Sequence, residues 1–283
     1  MINGKLIGLG VSIMSVIMTG CASTSQPVSY DESHSRAYNI AQAGGLYDVS
    51  DKYVSRENYE SLQFAGSAAT NSLLFTSSFG ANLDLTSGLG LGLVTSLLEQ
   101  PDTASRNSVI AWMPKSEASS TKNAQEKLLF EMKTAIESTL EEMGLEYEAT
   151  NGNSERKVEF YFHSEEYGCP IYKPGMTNVD LCYIATEVFE PREAKAPSFV
   201  GVDEIDSYAF ESNHSVYYNR FRVTPGKGSH VPSDKIYSLV SGKLPSWAYV
   251  YVASGNIQVG ESKVKTPYIL DNGEPLLFIH PEN

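Results

Sequence analysis

The sequence predicts an α+β fold: an antiparallel, β-rich domain crossed by one long amphipathic helix. A signal peptide, a polar tether and a small-residue, glycine-rich segment are expected to precede it. Three observations predict this layout. Between Ala124 and Met143, Leu128, Leu129, Met132, Ala135, Ile136, Leu140 and Met143 share one helical face opposite Glu and Lys, and Gly144 stops the helix. The chain beyond is a series of short aromatic and β-branched runs, punctuated by proline and glycine, with no internal repeat. The first twenty residues are apolar behind a single charge, Lys5.

That N-terminus reads MINGKLIGLGVSIMSVIMTGCAS. Its apolar run, Leu6 to Met18, is too short for a bilayer span, which needs roughly 20 apolar residues. Met18-Thr19-Gly20-Cys21 resembles the lipobox of bacterial lipoproteins, with Met where Leu is usual. The resemblance implies cleavage between Gly20 and Cys21, diacylglycerol and palmitate on Cys21, and a permanent attachment to the lipid bilayer. By the same resemblance, Ala22 after the cysteine implies export to the Gram-negative outer membrane, with the domain facing the periplasm. The expected organisation is a signal peptide over 1–20, a lipidated Cys21 and tether over 21–63, a Gly/Ala/Ser/Leu-rich segment over 64–100, and an α+β domain over 107–283.

Cleavage takes the formal charge from −13 to −14, because Lys5 is the one charge removed. So acidic a chain has no electrostatic reason to bind nucleic acid or an anionic lipid surface. With 283 residues, 41% of them hydrophobic, it can bury a sizeable core, and its 17 tyrosines suit pleated sheet. Once Cys21 is acylated, Cys169 and Cys182 are the thiols left of three. In an oxidising periplasm a disulfide is the natural assignment. The alternatives are a zinc site using both thiols and His163, which lacks a fourth ligand, or two separate buried thiols.

Taken in order, Ser23 to Glu32 reads as tether, and Arg36–Ala43 and Arg56–Phe64 as short helices. Residues 64–98 alternate glycine and leucine at Gly88, Gly90 and Gly92 and carry one charge, Asp84. They read as a small-residue hairpin or loop within the domain, an oligomer contact, or a membrane insertion, which Asp84 disfavours as a single span. In composition the segment resembles glycine-rich stretches of conjugative surface-exclusion lipoproteins. SVIAWM (108–113) is a buried strand stopped by Pro114, and LEYEAT and KVEFYFHS are strands parted by Asn151-Gly152. Further strands are expected over 181–189, 208–223, 235–240, 247–253, 257–259 and 276–279. The strand–helix–strand–strand unit resembles that of surface-exclusion and curli-secretion lipoproteins and implies fold class alone.

Candidate chemistry is sparse. Ser119-Ser120-Thr121-Lys122 matches Ser-x-x-Lys but sits in a polar connector without the partner motifs. Glu165-Glu166, Asp203-Glu204 and Asp206 are acid pairs of the kind a glycan hydrolase needs. His163 and His214 are candidate protonic switches, and Gly226-Lys227-Gly228-Ser229, before His230, a candidate anion turn. Trp247, Tyr249 and Tyr251 alternate along a strand, as a sugar-stacking platform or a core-covering face would. No cofactor and no metal is expected. The leading expectation is a non-catalytic lipoprotein working through envelope-protein contacts, homo-oligomeric contact included. Peptidoglycan binding through the aromatic strand comes second and hydrolysis third.

Overall fold

The computed structural model describes residues 28–56, 59, 106–151, 154–173, 176–203, 205–212, 218–259 and 262–282, with backbone alone at 254, 256–259 and 262–265. The expected signal peptide, Cys21, the segment 64–100, Glu204 and His214 lie outside the described residues, as does most of the helix expected over 56–64. The architecture is a largely antiparallel sheet with a few helices, an α+β fold. Its elements are α1 (Arg36–Ala43), β1 (Lys52–Val54), β2 (Ser108–Pro114), α2 (Thr121–Glu142), β3 (Glu146–Thr150), β4 (Lys157–His163), β5 (Tyr183–Glu187), β6 (Arg192–Lys195), β7 (Asp206–Phe210), β8 (Arg220–Thr224), α3 (Ser233–Ser241), β9 (Ala248–Val259), β10 (Ser262–Asp271), β11 (Glu274–Leu277) and β12 (Ile279–Pro281).

Among the described residues ten strands form the main sheet, and it forks at β2. On one side run β9, β10 and β11. The other edge of β2 is shared. Ser108 pairs with Arg220 of β8, while Ala111 to Pro114 pair with Phe210 to Ser207 of β7. One branch therefore continues through β8, β5, β4 and β3, and the other through β7 and β6. All these pairs are antiparallel. β1 and β12 form a separate parallel pair.

Two cores sandwich the sheet. On one face, α2 lays Leu128, Met132, Ile136 and Leu140, and α3 lays Ile236 and Val240, against Phe160, Phe162, Ile184, Phe221 and Val250. Ser120 caps α2, its hydroxyl accepting the Asn123 N–H at 3.1 Å, so the Ser-x-x-Lys stretch is a helix start. On the other face, Ala37, Ile40 and Ala41 of α1, with Leu46, Val49, Ala196 and Val200, cover Ile110, Trp112, Tyr249, Tyr251 and Ile269. Among the described residues this second core draws nothing from β3, β4, β5 or β8.

Four expectations are corrected. Residues 36–54, placed in the tether, belong to the domain: α1 is buried and β1 pairs with the C-terminal β12. Residues 235–240 form helix α3, because Ile236, Tyr237 and Val240 bury on one helical face. The run 208–223 is two strands, β7 and β8, and the stretches 247–253 and 257–259 are one, β9. The strand β10, unforeseen, pairs with β9 through a bulge between Thr266 and Tyr268. Among the described residues no helix is long and apolar enough to cross a membrane.

Candidate functional site

The sequence KVEFYFH of β4 alternates, and the fold uses both sides of it. Val158, Phe160 and Phe162 enter the helix-covered core, which leaves Lys157, Glu159, Tyr161 and His163 half-buried on the face that, among the described residues, has no second layer. Register then assembles that face. Tyr161 lies between Glu148 of β3 and Tyr183 of β5, and His163 opposite Glu146. Tyr183 neighbours Thr224, and Ala185 neighbours Arg222.

Tyrosine and charge dominate the result. The ring of Tyr161 is 5.7 Å from that of Tyr183 and 6.5 Å from that of Tyr172. The Tyr161 hydroxyl donates to Glu159 Oε2 at 3.0 Å, and Lys157 Nζ holds the other carboxylate oxygen at 2.6 Å. Burial, and next the Glu159 carboxylate, push the Tyr161 hydroxyl up to about 12. Arg222 donates to the Tyr183 hydroxyl and sits over its ring at 5.5 Å. Lower on the face, Glu187 accepts from Arg156 Nε at 2.9 Å.

A pinned loop walls one end. Ser164 and Cys169 form a β-bridge, and the bond from Cys169 to Cys182, Cα atoms 5.5 Å apart, ties the loop to the start of β5. The disulfide thus forms as expected, and the zinc alternative is excluded. Both sulfurs are bonded, and His163 Nδ1 donates to the Cys169 carbonyl at 2.6 Å. Between this loop and the β3–β4 edge lies an open groove of about 250 Å³, lined by Glu146, Glu148, Tyr161, His163, Ile171 and Tyr172 among others. Ile171 and Tyr172 are 59% and 54% exposed. Such a surface offers ring stacking, hydrogen bonds and negative charge.

The expected site residues fare differently. Trp247, Tyr249 and Tyr251 form no stacking platform, because all three are buried. Trp247 joins the helix-side core and donates its Nε1–H to Glu117 at 3.0 Å, while Tyr249 and Tyr251 lie under α1 on the opposite face. Their alternation reflects a strand covered on both sides. Glu165 and Glu166 are exposed on the turn after β4, and Asp203 and Asp206 are exposed on another segment of the chain. Among the described residues no group of three or more His, Cys, Asp or Glu is placed to hold a metal. The Gly226–His230 turn is no anion nest: the N–H groups of Gly226, Lys227, Ser229 and His230 already donate to Cys182 Sγ and to the carbonyls of Val179, Gly226 and Tyr167. Tyr161, Tyr172, Tyr183 and Arg222 escaped sequence reasoning. Their one signal is the polar half of the alternation in β4, since strand register and a disulfide bring the rest together.

Comparison with protein-family models, with curated proteins and with solved structures finds no match to this chain.

Proposed function

We propose that this chain is an outer-membrane lipoprotein, held to the bilayer by an acylated Cys21, that works without catalysis through protein contacts in the cell envelope, as an assembly, secretion or conjugation component. The observation that carries the contact reading is the branch β8–β5–β4–β3, one face of which has no helix packed on it among the described residues. One of its faces packs under α2 and α3, while the other lacks the α1 layer and presents Tyr161, Tyr172 and Arg222. Tyrosine and arginine are the types that contribute most at protein interfaces, being large, rigid or multiply hydrogen-bonding. The anchor reading is supported by Met18-Thr19-Gly20-Cys21 after an apolar run. The buried disulfide agrees with an oxidising compartment such as the periplasm.

Two measurements test the proposal. Labelled palmitate fed to cells is expected to enter the protein, and Cys21→Ser to lose both label and membrane fraction. A Cys21→Ser protein that stays in the outer membrane contradicts the anchor. Affinity capture from detergent-solubilised envelopes is expected to recover a partner or a second copy. A strictly monomeric protein with no captured partner contradicts the contact reading.

A further inference from the structure

The groove beside the disulfide loop differs in charge from the rest of the open face. Farther along, Lys157, Arg156, Arg220 and Arg222 are engaged with Glu159, Glu187 and Tyr183. At the groove, Glu146 and Glu148 stand exposed at alternate positions of β3, and among the described residues no lysine or arginine lines the cavity. The two aromatic walls, Tyr161 and Tyr172, present ring surface beside those carboxylates. Among the described residues β3 is also the last strand of its branch, so its outer backbone edge pairs with no strand.

We infer that the β3 edge and this groove receive an extended, basic segment of a partner protein, laid alongside β3 with its lysine or arginine side chains facing Glu146, Glu148 and the rings of Tyr161 and Tyr172. The inference rests on the protein-contact reading and names the partner's chemistry. An added strand satisfies the free backbone groups of β3. Side chains at alternate positions of that strand fall on the groove side, directly opposite the two glutamates or diagonal to them. An ammonium or guanidinium there meets carboxylate on one side and aromatic ring on the other. The chain's net charge of −13 adds long-range attraction for the same partner.

The test uses the full chain in detergent and a blocked peptide alternating lysine with valine, beside a control alternating glutamate with valine, followed by titration and backbone amide shifts. The lysine peptide is expected to bind, with shifts confined to β3, Tyr161 and the 170–172 loop, and the glutamate peptide not to bind. Glu146→Gln with Glu148→Gln, both exposed and so compatible with folding, is expected to weaken binding about tenfold, and Tyr172→Ala to weaken it also. Equal binding of the two peptides, binding unchanged by the double variant, shifts elsewhere, or no binding overturns the inference. A partner captured in envelopes while the peptide fails sinks the groove and leaves the contact reading standing. Peptide binding as expected with no partner in envelopes supports the groove and sinks the contact reading.

Discussion

Cys182 is held twice: its sulfur is bonded to Cys169, thirteen residues earlier, and accepts the backbone N–H of Gly226 at 3.3 Å. One atom thereby joins the groove's loop, the start of β5 and the turn after β8. Both cysteines are almost wholly buried, at 1% and 0% exposure. Removing the bond by Cys182→Ser is expected to lower stability by about 3 kcal/mol, the chain-entropy value for a loop of this size. Urea unfolding of the variant against wild type checks this. Amide exchange is expected to quicken over 165–181 before it quickens in α2.

The same turn leaves no room for a side chain. A Cβ on Gly226 would stand 2.6 Å from the Asp180 carbonyl oxygen, a backbone atom, so Gly226→Ala must move the loop. A loss of about 1–3 kcal/mol is expected, as for other overpacked sites, with an altered circular dichroism signal from the tyrosines near the groove.

Asp51 fastens the N-terminal layer. Its side chain is fully buried and accepts the Ser35 backbone N–H at 2.7 Å and the Ser35 hydroxyl at 2.5 Å, while the same hydroxyl receives the Tyr38 N–H and so caps α1. Asp51→Ala removes a charged acceptor from buried donors. It is expected to cost about 2–3 kcal/mol and to expose 36–54 to limited proteolysis while α2 stays protected.

Among the buried rings, Trp247→Ala is expected to cost about 3–5 kcal/mol by cavity formation without changing affinity for sacculi, since Trp247 presents no surface. Tyr251→Phe is expected to behave in the opposite way. Among the described residues the Tyr251 hydroxyl is buried without a hydrogen-bond partner, so deleting it is expected to be neutral or stabilising by up to about 1 kcal/mol. Thermal unfolding of both variants checks the pair.

Alkaline pH acts through buried tyrosines. Burial pushes Tyr161, Tyr237 and Tyr249 from the ordinary value of 10.0 up to about 12. A raised value in the folded state means the unfolded chain loses these protons first. Their contribution is therefore intact below pH 10 and is lost as pH climbs from about 10 to about 12. Ultraviolet titration is expected to show late-ionising tyrosines, and urea midpoints to fall across that interval.

Much of the fold was legible where one periodicity had one cause. Val158, Phe160 and Phe162 alternate because, among the described residues, helices pack on one face of β4, and the apolar stripe of α2 runs to its Gly144 stop. Legibility failed where residue type and packing disagreed. Ile236, Tyr237 and Val240 are β-prone residues that tertiary burial holds in a helix. Lys263, Lys265 and Pro267 hid β10, whose place is fixed by pairing with β9. For the site, Tyr249 and Tyr251 alternate like an exposed stripe, yet α1, expected as a short helix but within the tether segment 21–63, covers them. Tyr161, Tyr172 and Tyr183 meet through register and a disulfide, neither of which local pattern encodes.

The central claim is that the face of β8–β5–β4–β3 opposite α2 and α3, and not the helix-covered side, meets the partner. Photo-crosslinking in intact cells, with the reactive residue replacing either Tyr172 on the groove or Thr134 on the exposed side of α2, tests it most directly. The account predicts a discrete crosslinked product from position 172 and none from position 134. Crosslinks from position 134 with none from 172 would contradict it.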